Sequence, residues 1–130
     1  MANKILTYLM FEGKAEEAIN FYVSLFPDSE VVDLNRYEEG DLKGKLQLGY
    51  FNLNDQPFMA IDSPAVHDFT FTPAISIFVE CESEEELDKV FGQLNEGGKA
   101  LMPLDDYGFS KKFGWTEDKY GVSWQLNLAA

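Results

Sequence analysis

The chain is short of cysteine and histidine, with one of each, Cys81 and His67, in 130 residues. A single cysteine excludes a disulfide within the chain, and this scarcity is typical of a reducing compartment. A nucleophilic thiol needs a base close by, and His67 lies far away in sequence. We therefore interpret Cys81 as a buried or half-buried spectator thiol, and His67 as a solvated residue of a connecting segment.

Basic residues and long apolar runs are also scarce. Lys and Arg together number 10 against 23 Asp and Glu, so the formal net charge is −13. Such a surface repels the phosphates of nucleic acids and of anionic membranes. It would attract a cationic small molecule, but the same charge is expected where it only keeps an acidic protein soluble. No stretch approaches the roughly 20 apolar residues of a membrane span, and the opening MANKILTYLMF lacks the layout of a signal peptide. We predict a cytoplasmic protein whose partners include neither nucleic acid nor membrane.

Hydrophobic residues make up 45% of the chain and aromatic residues 15%, which is enough for the core of one compact domain. A helix with Glu16 and Glu17 in its first turn, where the helix dipole favours them, is predicted to end at Pro27-Asp28. Its buried stripe at helical spacing is Ala15, Ala18, Ile19, Tyr22 and Phe26. The strand candidates of this part of the chain are residues 4–11, 30–38, 44–53 and 57–62.

The same order of elements returns after a polar, proline-containing connection. A strand at 74–81 precedes a second amphipathic helix, in which Ser83 and Glu86 form a capping box. The buried stripe of this helix is predicted to be Leu87, Val90, Phe91 and Leu94. Shorter strand candidates follow at residues 99–103, 109–116 and 121–128.

The two helices match at an offset of 69 residues, and the shared order of elements indicates an internal repeat. At this offset Ala18, Phe21, Tyr22 and Leu25 fall on Leu87, Val90, Phe91 and Leu94. Each copy consists of a strand, a helix and three strands. We predict an α+β fold of two βαβββ modules, whose curved mixed sheets surround a cavity. Module one covers residues 1–62, a linker covers 63–72 and module two covers 73–130.

The segment FGWTEDKYGVSWQ, residues 113–125, contains both tryptophans, on either side of a turn. The strand after the turn alternates apolar and polar residues, so the two sets lie on opposite faces. The apolar set is Val122, Trp124, Leu126 and Leu128, and the polar set is Ser123, Gln125 and Asn127. We expect the apolar face to pack on a helix and the polar face to line the concave side of the sheet. Trp124 is assigned to the core, whereas Trp115 is left open between core packing and ligand contact.

The closing DKYGVSWQ and the opening LTYLMFEGKAEEAINFYVSLFPDSEV resemble the end motifs of PhnB-like proteins. These proteins belong to the vicinal oxygen chelate superfamily, with glyoxalase I, extradiol dioxygenases and bleomycin-resistance proteins. The resemblance implies a single domain over residues 1–130, made of the paired βαβββ modules predicted above, and a homodimer. The family is often labelled as a 3-demethylubiquinone-9 3-methyltransferase. No strand leads into a G-x-G-x-x-G turn, however, so we do not expect methyltransferase activity.

Enzymes of this superfamily hold a divalent metal with His, Glu or Gln side chains. The resemblance places these positions at Thr7, near Ala74, at Ala60 (or Met59) and at Gln125. Because threonine, alanine and methionine are poor ligands for Zn, Ni, Mn or Fe, and one glutamine cannot hold a metal alone, we predict neither metal nor other cofactor. A weak hard-cation site involving Asp62, two residues from Ala60, is left open.

Six residues are predicted to contact a ligand. They are Thr7, Asp62, Ser76, Tyr107, Trp115 and Gln125. Two alternatives stay open: the polar groups only satisfy one another, and Tyr107 with its neighbours Asp105 and Asp106 forms an ordinary turn instead of an acid/base pair over the cavity. No catalytic residue is identified. The leading interpretation is a metal-independent small-molecule-binding protein acting as a homodimer, and the alternatives are a metal-dependent lyase or dioxygenase and a methyltransferase.

Overall fold

The computed structural model describes residues 2–130 and divides them into two compact units, one up to His67 and one from Asp68. This division falls inside the 63–72 connection, while the module bounds of the sequence analysis stay a prediction. Within residues 2–130, no helix is long and apolar enough to cross a membrane.

The first unit is built from five elements. They are β1 (Thr7–Phe11), α1 (Ala15–Leu25), β2 (Glu30–Arg36), β3 (Leu46–Leu53) and β4 (Gln56–Asp62). The strands form a sheet in the order β1-β4-β3-β2, in which β1 is parallel to β4 and the other neighbours are antiparallel.

The second unit repeats this arrangement. Its elements are β5 (Ile77–Glu80), α2 (Glu84–Asn95), β6 (Lys99–Asp105), β7 (Lys112–Glu117) and β8 (Ser123–Leu128). The sheet order is β5-β8-β7-β6, and again the first and last strands of the unit are parallel. The predicted repeat, and the α+β fold of two βαβββ modules, are therefore confirmed.

Helix α1 packs an apolar stripe on one face of the first sheet. Its buried residues are Ala15, Ala18, Ile19, Tyr22 and Leu25. Phe26, which was predicted to complete the stripe, is only half-buried because the helix ends one residue earlier. Pro27 disfavours a helical conformation for the residue before it, and Phe26 is extended with φ −127° and ψ 148°.

Helix α2 begins at the predicted cap. Ser83 Oγ accepts a hydrogen bond from Glu86 N at 3.1 Å. The Glu86 carboxylate accepts one from Glu82 N at 2.9 Å, one residue before the cap, where a standard capping box would use the cap residue itself. The buried residues Leu87, Val90, Phe91 and Leu94 are those predicted.

Strand ends differ from the sequence prediction wherever pairing stops. Strand β1 begins at Thr7 instead of residue 4, because Thr7 lies opposite Phe58 and the preceding Pro57 has no N–H to donate. Strand β5 begins at Ile77 instead of residue 74. Strand β7 begins at Lys112 instead of residue 109, since residues before it form a turn in which Asp106 Oδ1 accepts from Gly108 N at 2.8 Å.

Candidate ligand-binding surface

The two faces of the second sheet are identified by its packing on α2. A Cβ placed on Gly114 would meet the ring of Phe91, so Gly114 and its register partner Leu126 face the helix. Alternate residues point to the other side, which we call the helix-free face of the second unit. On β5, β7 and β8 it comprises Phe78, Glu80, Phe113, Trp115, Glu117, Ser123, Gln125 and Asn127, and on β6 it comprises Lys99, Met102 and Asp105. The predicted faces of β8 are confirmed, and Trp124 is fully buried on the helix side.

A chain of hydrogen bonds joins three of the predicted ligand contacts on this face. Gln125 Nε2 donates to Ser76 Oγ at 3.2 Å, and Ser76 Oγ lies 2.6 Å from Ser123 Oγ. Trp115, which lies opposite Gln125, donates its indole N–H to Ser123 Oγ at 2.8 Å. Some of these polar side chains therefore hydrogen-bond to one another, as one of the alternatives in the sequence analysis predicted. The Gln125 carbonyl oxygen takes no part in these bonds, and Trp115 and Gln125 are both half-exposed.

Glu80 and Asn127 form a second polar group on the same face. Asn127 Nδ2 donates to both carboxylate oxygens of Glu80, at 3.2 and 3.1 Å. Asn127 Oδ1 is buried and has no hydrogen-bond partner among residues 2–130. The sequence analysis missed Glu80 as a site residue. Its alternation with Val79 in β5 was the available signal, but the parallel pairing that brings it to Asn127 is not visible in the sequence.

Tyr107 lies at one end of the helix-free face. Its ring stacks on Phe109, with centroids 6.3 Å apart, and meets Phe113 edge-on at 6.2 Å. Its hydroxyl donates to the carbonyl of Pro103. Asp105 and Asp106 accept hydrogen bonds from nearby backbone N–H groups, so the loop has the bonding of an ordinary turn. These contacts favour a packing role for the Tyr107 ring beside Phe109 and Phe113 over an acid/base role for its hydroxyl.

The other two predicted contacts lie in the first unit and point to its helix side. Asp62 Oδ1 accepts from Gly13 N at 2.8 Å and Ala15 N at 2.9 Å, and Oδ2 accepts from Leu46 N at 3.0 Å. The side chain is 1% exposed, so it joins the start of α1 to β3. Thr7 lies on the same side of β1 as Phe11, the register partner of Asp62, and is exposed at the strand's first position.

The donor set on the helix-free faces does not fit a divalent metal. In the first unit Tyr8 lies opposite Met59, and in the second Phe78 lies opposite Gln125. Met59, not Ala60, is thus on the face equivalent to that of Gln125, and Ala74 lies in a turn before β5. These four side chains offer a phenol, a thioether and one amide. Within residues 2–130, no group of three His, Cys, Asp or Glu side chains could hold a metal ion.

Neither Cys81 nor His67 has the surroundings of a catalytic group. Cys81 is buried, and burial, followed by the charges of Glu86 and Glu80, raises the pKa of its thiol to about 12. The predicted burial of Cys81 is therefore confirmed, and its role as a spectator stays a prediction. His67 is half-buried, not solvated as expected, with Nε2 2.9 Å from Ser63 Oγ. The Ser63 hydroxyl donates to the carbonyl of Ala65 at 2.9 Å, so its proton is not directed at the imidazole.

The chain is similar to known proteins over nearly its whole length. The family model described as 3-demethylubiquinone-9 3-methyltransferase matches residues 3–127. The PhnB protein of Bacillus cereus is 60% identical, with a TM-score of 0.95 over 98% of this chain and 100% of that chain. Protein PA1353 of Pseudomonas aeruginosa is 26% identical, with a TM-score of 0.85 over 98% of each chain.

A more distant structure shows the fold alone. The fosfomycin resistance protein FosX of Listeria monocytogenes is 12% identical, with a TM-score of 0.66 over 100% of this chain and 95% of that chain. No curated protein matches the chain. With the family model matching almost every residue, the chain belongs to the PhnB-like family, labelled 3-demethylubiquinone-9 3-methyltransferase.

Proposed function

We propose that this chain is a metal-independent small-molecule-binding protein, with the helix-free face of the second unit as part of its binding surface. The observation that carries the proposal is the pair Trp115 and Gln125, adjacent across β7 and β8 and both half-exposed. Apolar rings with a few oriented polar groups are the usual composition of a small-molecule site. Phe78, opposite Gln125 and 54% exposed, adds a second aromatic surface.

The hydrogen bonds beneath these side chains support preorganisation. Ser123 holds the Trp115 indole, and Ser76 holds the Gln125 amide nitrogen. The amide oxygen is then presented as an acceptor at little entropic cost, since the side chain is already ordered. Gln125 would thus act as a hydrogen-bonding group of the site, at a position where enzymes of the superfamily place a metal ligand.

A screen of small organic molecules tests this proposal, with binding detected by thermal shift and tryptophan fluorescence. We expect a ligand whose affinity falls at least about tenfold in Gln125→Ala and Trp115→Phe, which is the loss of one good contact. Asn52→Ala, which removes a half-buried amide from the helix-free face of the first unit, is the matched control and should bind normally. Equal affinity in all variants would contradict this placement of the site.

A metal-dependent lyase or dioxygenase is the alternative. The resemblance to the vicinal oxygen chelate superfamily favours it, whereas the donor set does not. The protein would be incubated with Fe, Mn, Ni and Zn in turn, desalted and analysed by elemental mass spectrometry. We expect near-zero metal per chain. A stoichiometric metal would make the alternative the leading function.

Methyltransferase activity has less support than the family label suggests. The turn from β1 into α1 contains one glycine, Gly13, and its backbone N–H is already bound by Asp62. The start of α2 is bound by Ser83 and Glu86. Both helix N-termini are therefore occupied by the chain's own oxygens, where a cofactor anion would otherwise bind. We expect no saturable binding of S-adenosylmethionine in calorimetry.

A homodimer is part of the proposal. Three of the exposed apolar side chains lie in the segment of the chain between β4 and β5, where Val66, Phe69 and Ile75 are 89%, 59% and 74% exposed. Burial of such side chains against a second copy would remove apolar surface from water. Sedimentation at micromolar concentration should give twice the 14.8 kDa chain mass, and a monomer alone would contradict the dimer.

A further inference from the structure

The Glu80–Asn127 pair leaves one oxygen without a donor. Asn127 is 9% exposed and directs its amide N–H groups at the Glu80 carboxylate. The opposite amide orientation would place Oδ1 against that carboxylate, so the orientation is fixed by charge. Oδ1 is therefore a buried acceptor with no partner among residues 2–130. Because an amide oxygen can only accept, the group that satisfies it must carry an N–H, an O–H or a positive charge.

The residues around the Glu80–Asn127 pair favour a cation as the partner of Asn127 Oδ1. Phe113 lies opposite Asn127, and Phe78 is two residues from Glu80 on the same face of β5. Aromatic faces attract cations, and the attraction is stronger where the cation is desolvated.

Glu80 forms no salt bridge with a basic residue within the described chain. Lys112 is the basic residue of β5, β7 and β8, and it points to the helix side, where it pairs with Glu84 and Asp88 at 3.1 and 2.7 Å. The charged strand residues of the helix-free face are Glu80, Asp105, Glu117 and Lys99, and Lys99 lies opposite Glu117, at the other end of the face from Glu80. No internal cation therefore neutralises Glu80, and the whole chain carries −13.

We propose that the helix-free face of the second unit takes a cationic ligand, a primary ammonium or guanidinium attached to an apolar body. Glu80 supplies the counter-charge, Asn127 Oδ1 and the Gln125 amide oxygen accept hydrogen bonds, and Phe78 and Trp115 contact the apolar part. This assignment rests on the proposed small-molecule function and adds the chemical class of the ligand.

Three probes with the same aromatic body test it: phenethylammonium, 2-phenylethanol and phenylacetate. Binding is followed by tryptophan fluorescence at pH 7 and low ionic strength. We expect the ammonium to bind about tenfold more tightly than the alcohol, with phenylacetate weakest, and the preference to decrease as salt screens the charge. Glu80→Gln should abolish the preference for the cation.

Glu117→Gln is the matched control, because it removes the same charge from the same face. Glu117 lies opposite Ser123, four residues along β8 from Asn127, which is roughly 13 Å in an extended strand. The control should keep the preference, and thermal melting should show that both variants are folded. Equal affinities for the three probes, or a preference unchanged in Glu80→Gln, would overturn the cationic assignment while leaving the small-molecule function standing. Failure of all three probes overturns the assignment as well, and the wider ligand screen then decides the function separately.

Discussion

At the scale of single residues, each unit buries an aspartate that holds backbone segments together. Asp62 accepts from three backbone N–H groups of the first unit. Asp118, 3% exposed, accepts from Tyr120 N, Val122 N and Trp124 Nε1 in the second. Bonds to an ionised acceptor are strong, and removing the acceptor strands several buried donors. We interpret both side chains as determinants of stability.

Replacing either carboxylate should therefore destabilise the protein. Asp62→Ala and Asp118→Ala are each expected to lower the free energy of unfolding by about 3 kcal/mol, because buried N–H groups lose their acceptor. Asp33→Ala, at an exposed position on β2, is the control and should change it by less than about 0.5 kcal/mol. Urea denaturation measures all three. A small loss of stability in Asp62→Ala would mean that the carboxylate contributes little through its hydrogen bonds to the backbone.

Cys81 should be protected from modification at mildly alkaline pH. Its folded pKa of about 12 lies above the roughly 8.5 of an unfolded thiol. The folded chain therefore keeps the proton between those two values while the unfolded chain releases it, so this group lowers stability as pH rises above about 8.5. We expect a thiol-reactive disulfide reagent at pH 8 to label the native protein slowly and the urea-unfolded protein at once. Rapid labelling of the native protein would contradict the buried thiol.

At the scale of elements, a glycine in the middle strand of each unit lets the helix approach the sheet. A Cβ on Gly49 would lie 2.8 Å from Leu46 and 2.9 Å from Ile19 of α1. A Cβ on Gly114 would lie 2.6 Å from the ring of Phe91 in α2. The same solution occurs twice because both units pack one helix across the same order of strands.

Two glycine substitutions should change the free energy of unfolding in opposite directions. Gly114→Ala is expected to cost about 1–3 kcal/mol through overpacking against Phe91. Gly92→Ala lies in α2 with nothing within 4 Å of the added methyl group, and it should stabilise by roughly 0.5–1 kcal/mol because alanine restricts the unfolded chain. Urea denaturation midpoints of both variants and the parent chain would show the two effects. An unchanged midpoint in Gly114→Ala would mean that α2 can move away from the sheet.

At the scale of the whole molecule, the two units share a topology but not a chemistry on their helix-free faces. The helix sides must bury equivalent cores, whereas the other face is free to vary. In the first unit this face carries Tyr8, Met10 and Met59. In the second it carries the Trp115–Gln125 and Glu80–Asn127 pairs. The candidate site therefore belongs to one copy of the repeat.

The charge of the whole chain should control its association. The isoelectric point is about 4.2, so lowering the pH from 7 removes the net charge of −13 that keeps molecules apart. We expect light scattering to rise sharply near pH 4 and to fall again when the pH is restored. Constant scattering through the isoelectric point would show that charge repulsion is not what keeps the exposed apolar residues from associating.

The sequence alone determined the features that depend on local periodicity. Residues close together in the chain predict both helices and the Ser83 cap. They also predict the faces of β8, because apolar and polar residues alternate strictly in that strand. In β1 and β4 both faces are apolar, so alternation cannot assign them, and a one-residue error moves every side chain to the other side. Only the pairing of β1, β4 and β3 under α1 decided that Thr7 and Asp62 lie on the helix side. The Glu80–Asn127 pair likewise exists only through parallel pairing across 47 residues, a long-range contact that no local pattern encodes.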